Sequence, residues 1–200
     1  MGHRFAALAA LALCAAASAR GEEAPGCAIA LARTGPDGVG TYTAECRWPV
    51  APSTVSELVG TPGKMAEVTT ALLESTRLAD GRVVQVISSG WPIADRQSTL
   101  AIEREALPGG GLLLSYSLAP EQVPVAKGRV AARRNDGRWE IRPGAGGTQL
   151  RYESAFDAGG DLPPSLVQRA VPERMAQSLA ELRAAAEAIE RSQRADDGAR

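Results

Sequence analysis

The chain has 200 residues, 22 Lys and Arg against 23 Asp and Glu, a formal net charge of −1 and 44% hydrophobic residues. This suffices for one substantial core, and it leaves no basic footprint for nucleic acid or an anionic membrane. At the start, Arg4 precedes an apolar run from Phe5 to Ala17 that is too short to span a bilayer, followed by the small-residue pattern Ala17-Ser18-Ala19. The pattern predicts a signal peptide over residues 1–19, a mature start at Arg20 and a periplasmic or secreted protein. Leu13 before Cys14 does not fit a lipidation site. His3, the one histidine, departs with the leader. No imidazole then remains for a triad, a proton shuttle or zinc, and neither a metal nor a cofactor is expected.

Period-two segments follow. Strands are predicted near Cys27 to Arg33, Gly40 to Trp48, Glu67 to Thr76, Arg82 to Ser88, Gln97 to Glu105, Leu112 to Leu118, Lys127 to Arg133, Trp139 to Arg142 and Gln149 to Phe156. The connections "GPDG" (35–38), "ADG" (79–81), "PGGG" (108–111), "NDG" (135–137) and "PGAGG" (143–147) carry the Gly, Asp and Asn of tight turns. Between the second and third strands a short helix is predicted from Ser53, as N-cap, to about Val59, where Gly60 and Pro62 end it.

From Pro164 onward, Val167, Val171, Met175, Leu179, Leu182, Ala186 and Ile189 recur at steps of three and four, the stripe of a long amphipathic helix. Pro172 within it predicts a kink or break near Val171. Residues 192–200 read as a flexible polar tail, leaving one domain over 20–191. A single helix covers a sheet's apolar face only if the sheet curves around it. The predicted class is therefore α+β, a helix-grip fold with a curved antiparallel sheet wrapped around the C-terminal helix.

In the first hairpin, opposed residues face the same side, so Cys27, Ile29 and Leu31 match Cys46, Ala44 and Tyr42, leaving Thr41, Thr43 and Glu45 on a polar side. That register makes the two cysteines direct partners and predicts a Cys27–Cys46 disulfide in an oxidising compartment.

The segment "GWPIADRQ" (90–97) resembles the Trp/Pro and Arg/Asp corner of START domains and their bacterial relatives in the polyketide-cyclase-like superfamily. "WPVAPSTVSELV" (48–59), "GRWEIRP" (137–143) and the run from Thr148 to Ala185 extend the resemblance over nearly the whole mature chain. The order of Asp95 and Arg96 reverses the familiar one. The resemblance implies the helix-grip fold and a ligand cavity between sheet and helix, with reversible binding or transfer of a lipid-like or other apolar small molecule.

Strand parity places Leu100, Ile102, Leu112, Leu114, Tyr116 and Leu118 on one face toward that cavity, opposite Val171, Met175, Leu179 and Leu182 of the helix. Arg104 shares the strand parity and is predicted to point inward at a polar head group. Trp91 and Pro92 form a corner before the next strand, with Trp91 a rigid rim at the cavity mouth. Asp95 and Arg96 are read as hydrogen-bonding and charge partners at the strand start. Glu103 and Glu105 lie on the other face with Gln97 and Thr99, a solvated side, so no catalytic pair is assigned. The protein is expected to be a monomeric, non-enzymatic carrier in transient contact with a membrane or a delivery protein. The alternatives are a cyclase/aromatase-like enzyme and an interaction module with a filled core.

Overall fold

A computed structural model describes residues 26–198. The leader, its cleavage site, Cys14 and His3 lie outside the described residues.

Strands β1 (Cys27–Thr34) and β2 (Gly40–Trp48) form the predicted hairpin, with Cys27 opposite Cys46, Ile29 opposite Ala44 and Leu31 opposite Tyr42. The turn closes through Gly35 N–H to Val39 O at 2.9 Å, with Gly38 at φ 77°, a conformation that favours glycine. A bulge falls between Leu31 and Arg33, beyond the cysteines, and the Cys27–Cys46 disulfide forms with Cα atoms 4.1 Å apart. Thr41 and Thr43 are nevertheless buried, because β2 is an interior strand between β1 and β9 and the larger neighbours Glu153 and Arg151 flank that face.

Helix α1 (Pro52–Gly60) opens without Ser53 as its cap. Ala51 is the N-cap and Pro52 takes the first helical position, where a missing N–H costs nothing. The Glu190 carboxylate accepts the Ala51 N–H instead, together with the Thr54 hydroxyl at 3.4 Å. The strand expected from Glu67 begins at Leu72, because a one-turn helix α2 (Lys64–Val68) occupies its first residues. Thr69 stops that turn by donating both its N–H and its hydroxyl to Met65 O, at 3.0 and 2.8 Å.

Strands β3 (Leu72–Arg77), β4 (Val83–Ile87), β5 (Arg96–Leu107) and β6 (Gly111–Leu118) run antiparallel in sequence. The expected strand Lys127–Arg133 shrinks to β7 (Val130–Ala131), which pairs parallel with the start of β5. The crossover before it lies along β5: Gln122 bonds Thr99 N–H and C=O at 2.8 and 2.9 Å, and Gln97 donates to Pro124 O at 3.1 Å. Gln97 and Thr99 are therefore buried rather than solvated, whereas Glu103 and Glu105 stay exposed.

Strand β8 (Arg134–Gly144) runs straight through "NDG" and pairs along its length with β9 (Gly147–Asp157). Gly137 makes no turn: a Cβ there would lie 2.4 Å from Tyr116 Oη and 2.3 Å from Glu153 O. A close approach, not a reversal, requires this glycine. The sheet order is β1-β2-β9-β8-β6-β5-β4-β3, with β7 beside β5.

Helix α3 (Pro164–Gly198) lies across this curved sheet and continues through most of the stretch read as a polar tail. The i,i+4 pairs Glu187 with Arg191 (3.9 Å) and Glu190 with Arg194 (3.7 Å) support that extension. Pro172 does not break the helix. Its ring leaves the Gln168 carbonyl without an intrahelical donor, and the Tyr42 hydroxyl supplies one at 2.7 Å. Gln168 Nε2 also donates to Gly38 O at 3.0 Å, so the start of the helix is tied to the first hairpin. Beyond the proline, Met175, Leu179, Leu182 and Ala186 are buried in the main core against Ile29, Ala44 and Leu58.

Candidate ligand cavity

Between sheet and helix, the described residues line a partly open cavity of about 230 Å³. Leu100, Ile102, Leu114 and Tyr116 line it from β5 and β6, Trp139 and Tyr152 from β8 and β9, and Val171, Met175 and Leu179 from α3. Leu72 and Met65 close one side, and the loop Ser88, Ser89 and Ile93 another. A second depression, of about 810 Å³, lies over the Cys27–Cys46 end of the sheet. It carries charges already paired with each other, Arg142 with Glu140 at 2.6 Å and Arg151 with Glu45 at 3.0 Å. Its lining is a solvated ionic surface, so the apolar cavity is the candidate site.

The structure thus brings together seven predicted residues: Leu100, Ile102, Leu114, Tyr116, Val171, Met175 and Leu179. Leu182 and Leu112 belong to the adjoining core, and Leu118 is half-buried away from the cavity. Arg104 is corrected: it is exposed, and its Nη1 donates to Gly60 O at 2.9 Å. The carbonyl end of α1 draws the guanidinium outward, where its charge stays hydrated. Trp91 is 96% exposed and lines no part of the cavity.

The corner around Trp91 is held by its neighbours. Asp95 accepts the Ser89 N–H at 3.2 Å. Arg96 is buried, donating to Ala158 O at 2.9 Å, Gly159 O at 3.4 Å, Ser89 Oγ at 3.3 Å and Ala94 O. Burial pulls its guanidinium below the ordinary value, with Asp95 opposing. The pair therefore fastens the loop before β5 to the turn before α3, the hydrogen-bonding role read from sequence.

Residues not anticipated include Trp139, Tyr152, Ser88, Ser89 and Arg174. Trp139 and Tyr152 are register partners whose rings stack with centroids 3.7 Å apart. Alternation along β9 from Leu150 through Tyr152 and Ser154 to Phe156 carried that signal. The Tyr116 and Tyr152 hydroxyls meet at 2.9 Å. Burial, above all, raises both phenols, Tyr116 well above its ordinary value, and burial raises Tyr42 too.

The raised values favour the neutral phenol in the folded state. Their stabilisation is whole below about pH 10, the ordinary phenol value, and is lost as pH rises beyond it. Phenolate absorbance during an alkaline titration should therefore stay low near pH 10 and rise together with loss of tertiary structure. Ordinary titration of the 3 tyrosines in a protein that stays folded would contradict this packing.

A curved antiparallel sheet gripping one long helix over an apolar cavity defines a helix-grip, START-like protein. The profile of the polyketide cyclase/dehydrase and lipid transport family matches residues 40–187, and the chain belongs to that family. A STAR-related lipid transfer protein from Xanthomonas axonopodis superposes with a TM-score of 0.73 at 20% identity, covering 83% of this chain and 96% of that one. Human StAR-related lipid transfer protein 5 gives 0.75 at 18% identity, covering 84% and 86%. At these identities the likeness is one of fold. An uncharacterized protein of Pseudomonas aeruginosa is 27% identical over 110 residues, and the match spans about half of each chain, 54%.

Proposed function

We propose that the protein reversibly binds and carries one lipid-like apolar molecule outside the cytoplasm, after loss of residues 1–19, and catalyses no reaction on it. The observation that carries this reading is the cavity, walled by Leu72, Leu100, Leu114, Trp139, Met175 and Leu179. A buried methylene contributes about 0.8 kcal/mol, so a ten-carbon tail gains roughly 8 kcal/mol before association costs on the order of 4 kcal/mol or more. The remainder suits reversible binding.

Neutral, desolvated phenols at Tyr116 and Tyr152 are poor bases, and Glu103 and Glu105 point away into solvent. Both features favour a carrier over a cyclase-like enzyme. The exposed Trp91, on the loop that lines the cavity, and the exposed Leu166 are the groups suited to touch a membrane or delivery partner transiently.

Native mass spectrometry of gently purified protein should show a bound apolar species. Leu114→Trp should fill the cavity and reduce binding of an apolar probe by at least about tenfold, whereas Glu103→Gln with Glu105→Gln should leave it unchanged. If no bound species is found and a panel of lipids and sterols gives no shift in Tm, the filled-core interaction module replaces this reading.

A further inference from the structure

We propose that the cavity selects an anionic amphiphile with a single apolar tail, whose carboxylate or phosphate head group pairs with Arg174. The proposal rests on the carrier reading and specifies its ligand. Among the described lining residues Arg174 is the one charged side chain, and no Asp or Glu accompanies it. It is half-buried and makes no hydrogen bond or ion pair with another described residue.

The acids nearest to it along the helix are engaged elsewhere, Glu173 with Arg169 at 3.6 Å and Glu181 with Thr70 N–H at 2.9 Å. Arg174 reaches over the Ser88–Ser89–Gly90 loop, where a Cβ on Gly90 would lie 3.4 Å from Nη2. The hydroxyl-bearing Ser88, Ser89 and Ser178 line the same cavity. Beneath that loop lies Arg96, buried among neutral oxygens without a carboxylate ion pair, and Asp95, the near acid, is hydrogen-bonded to Ser89 N–H.

Arg174 thus gives the lining of the cavity a positive charge that no lining carboxylate neutralises. A half-buried cation facing apolar walls gains most from an anion that both neutralises it and accepts its hydrogen bonds. The volume of about 230 Å³ falls below the roughly 300–1,000 Å³ of a drug-sized site, which favours one tail over two.

Calorimetric titration of the full chain at neutral pH with decanoate, decyl phosphate and decanol tests the assignment. The wild type should bind at least one of the two anions at least about tenfold more tightly than decanol, and the order of the anions identifies the head group. Arg174→Gln should erase the preference for the anions while decanol still binds, which also shows that the variant is folded. Arg174→Met provides the same comparison should the glutamine variant fail to fold. Equal wild-type affinities, or a preference that survives both substitutions, overturns the head-group inference and leaves the carrier intact. Failure of all three probes to bind the wild type overturns the head-group inference, and the carrier reading falls with it only when the native spectra and the lipid and sterol panel are also negative.

Discussion

Replacing Leu182 with alanine is expected to destabilise the fold by about 3–5 kcal/mol, the upper part of the range for buried leucines. Leu182 is 1% exposed in the closed core, so removing its side chain leaves a void with nothing to fill it. Leu179, one turn earlier and equally buried at 1%, lines the cavity instead. Leu179→Ala should also cost about 2–4 kcal/mol without ligand, but the new space joins space that an apolar molecule can enter. Added decanol should therefore raise the stability of Leu179→Ala more than that of the wild type, and should give Leu182→Ala no such extra gain. Urea denaturation with and without decanol measures this difference. Equal ligand-induced gains in the two variants would place the two leucines in one environment and contradict the cavity boundary.

The second large effect belongs to the first hairpin. The disulfide joins cysteines 19 apart in sequence, and a loop of that size removes denatured-state entropy corresponding to about 3 kcal/mol. The bridge pins β1, which is an edge strand with β2 as its strand partner. The double substitution Cys27→Ser with Cys46→Ser should lower the unfolding free energy by about that amount, with the earliest amide exchange in β1. Alkylation of the denatured, unreduced protein should find neither thiol free, and two reactive thiols would remove the bridge from the account.

The hairpin shows what alternation alone can reveal. The core face of β1 and β2 follows from Cys27, Ile29, Ala44 and Cys46, and that parity sets the register and the bridge, although Leu31 on the same side is exposed and Thr41 and Thr43 on the other are buried. The same alternation identified the cavity walls contributed by Leu100, Ile102, Leu114 and Tyr116. It failed where the deciding partner was remote. Nothing local to Gly137 indicates that Tyr116 will occupy the space above it, so "NDG" reads as a turn while the chain runs extended. Nothing local to Thr99 indicates that Gln122 will cover it. Arg104 leaves the inward place expected for it, and Arg174, for which no place was expected, lines the cavity, because both side chains are long: one turns out to the end of α1, and the other turns in over the Ser89–Gly90 loop. Parity orients a Cβ, and a guanidinium can end far from where its Cβ points.

The proline in α3 divides one continuous helix into two mechanical parts. Residues 164–171 are tied to the first hairpin by Tyr42 Oη on Gln168 O and Gln168 Nε2 on Gly38 O, while Met175, Leu179, Leu182 and Ala186 anchor the remainder. The intrahelical bond that tilting at this step would strain is already missing at Pro172. Outward tilting of the first two turns thus gives up those two ties and the side-chain packing over the cavity, and leaves the buried anchor in place. Under the proposed carrier function, the rate of cargo exchange is therefore set chiefly at the Gln168 ties, apart from the buried stripe beyond the proline that sets the lifetime of the folded state.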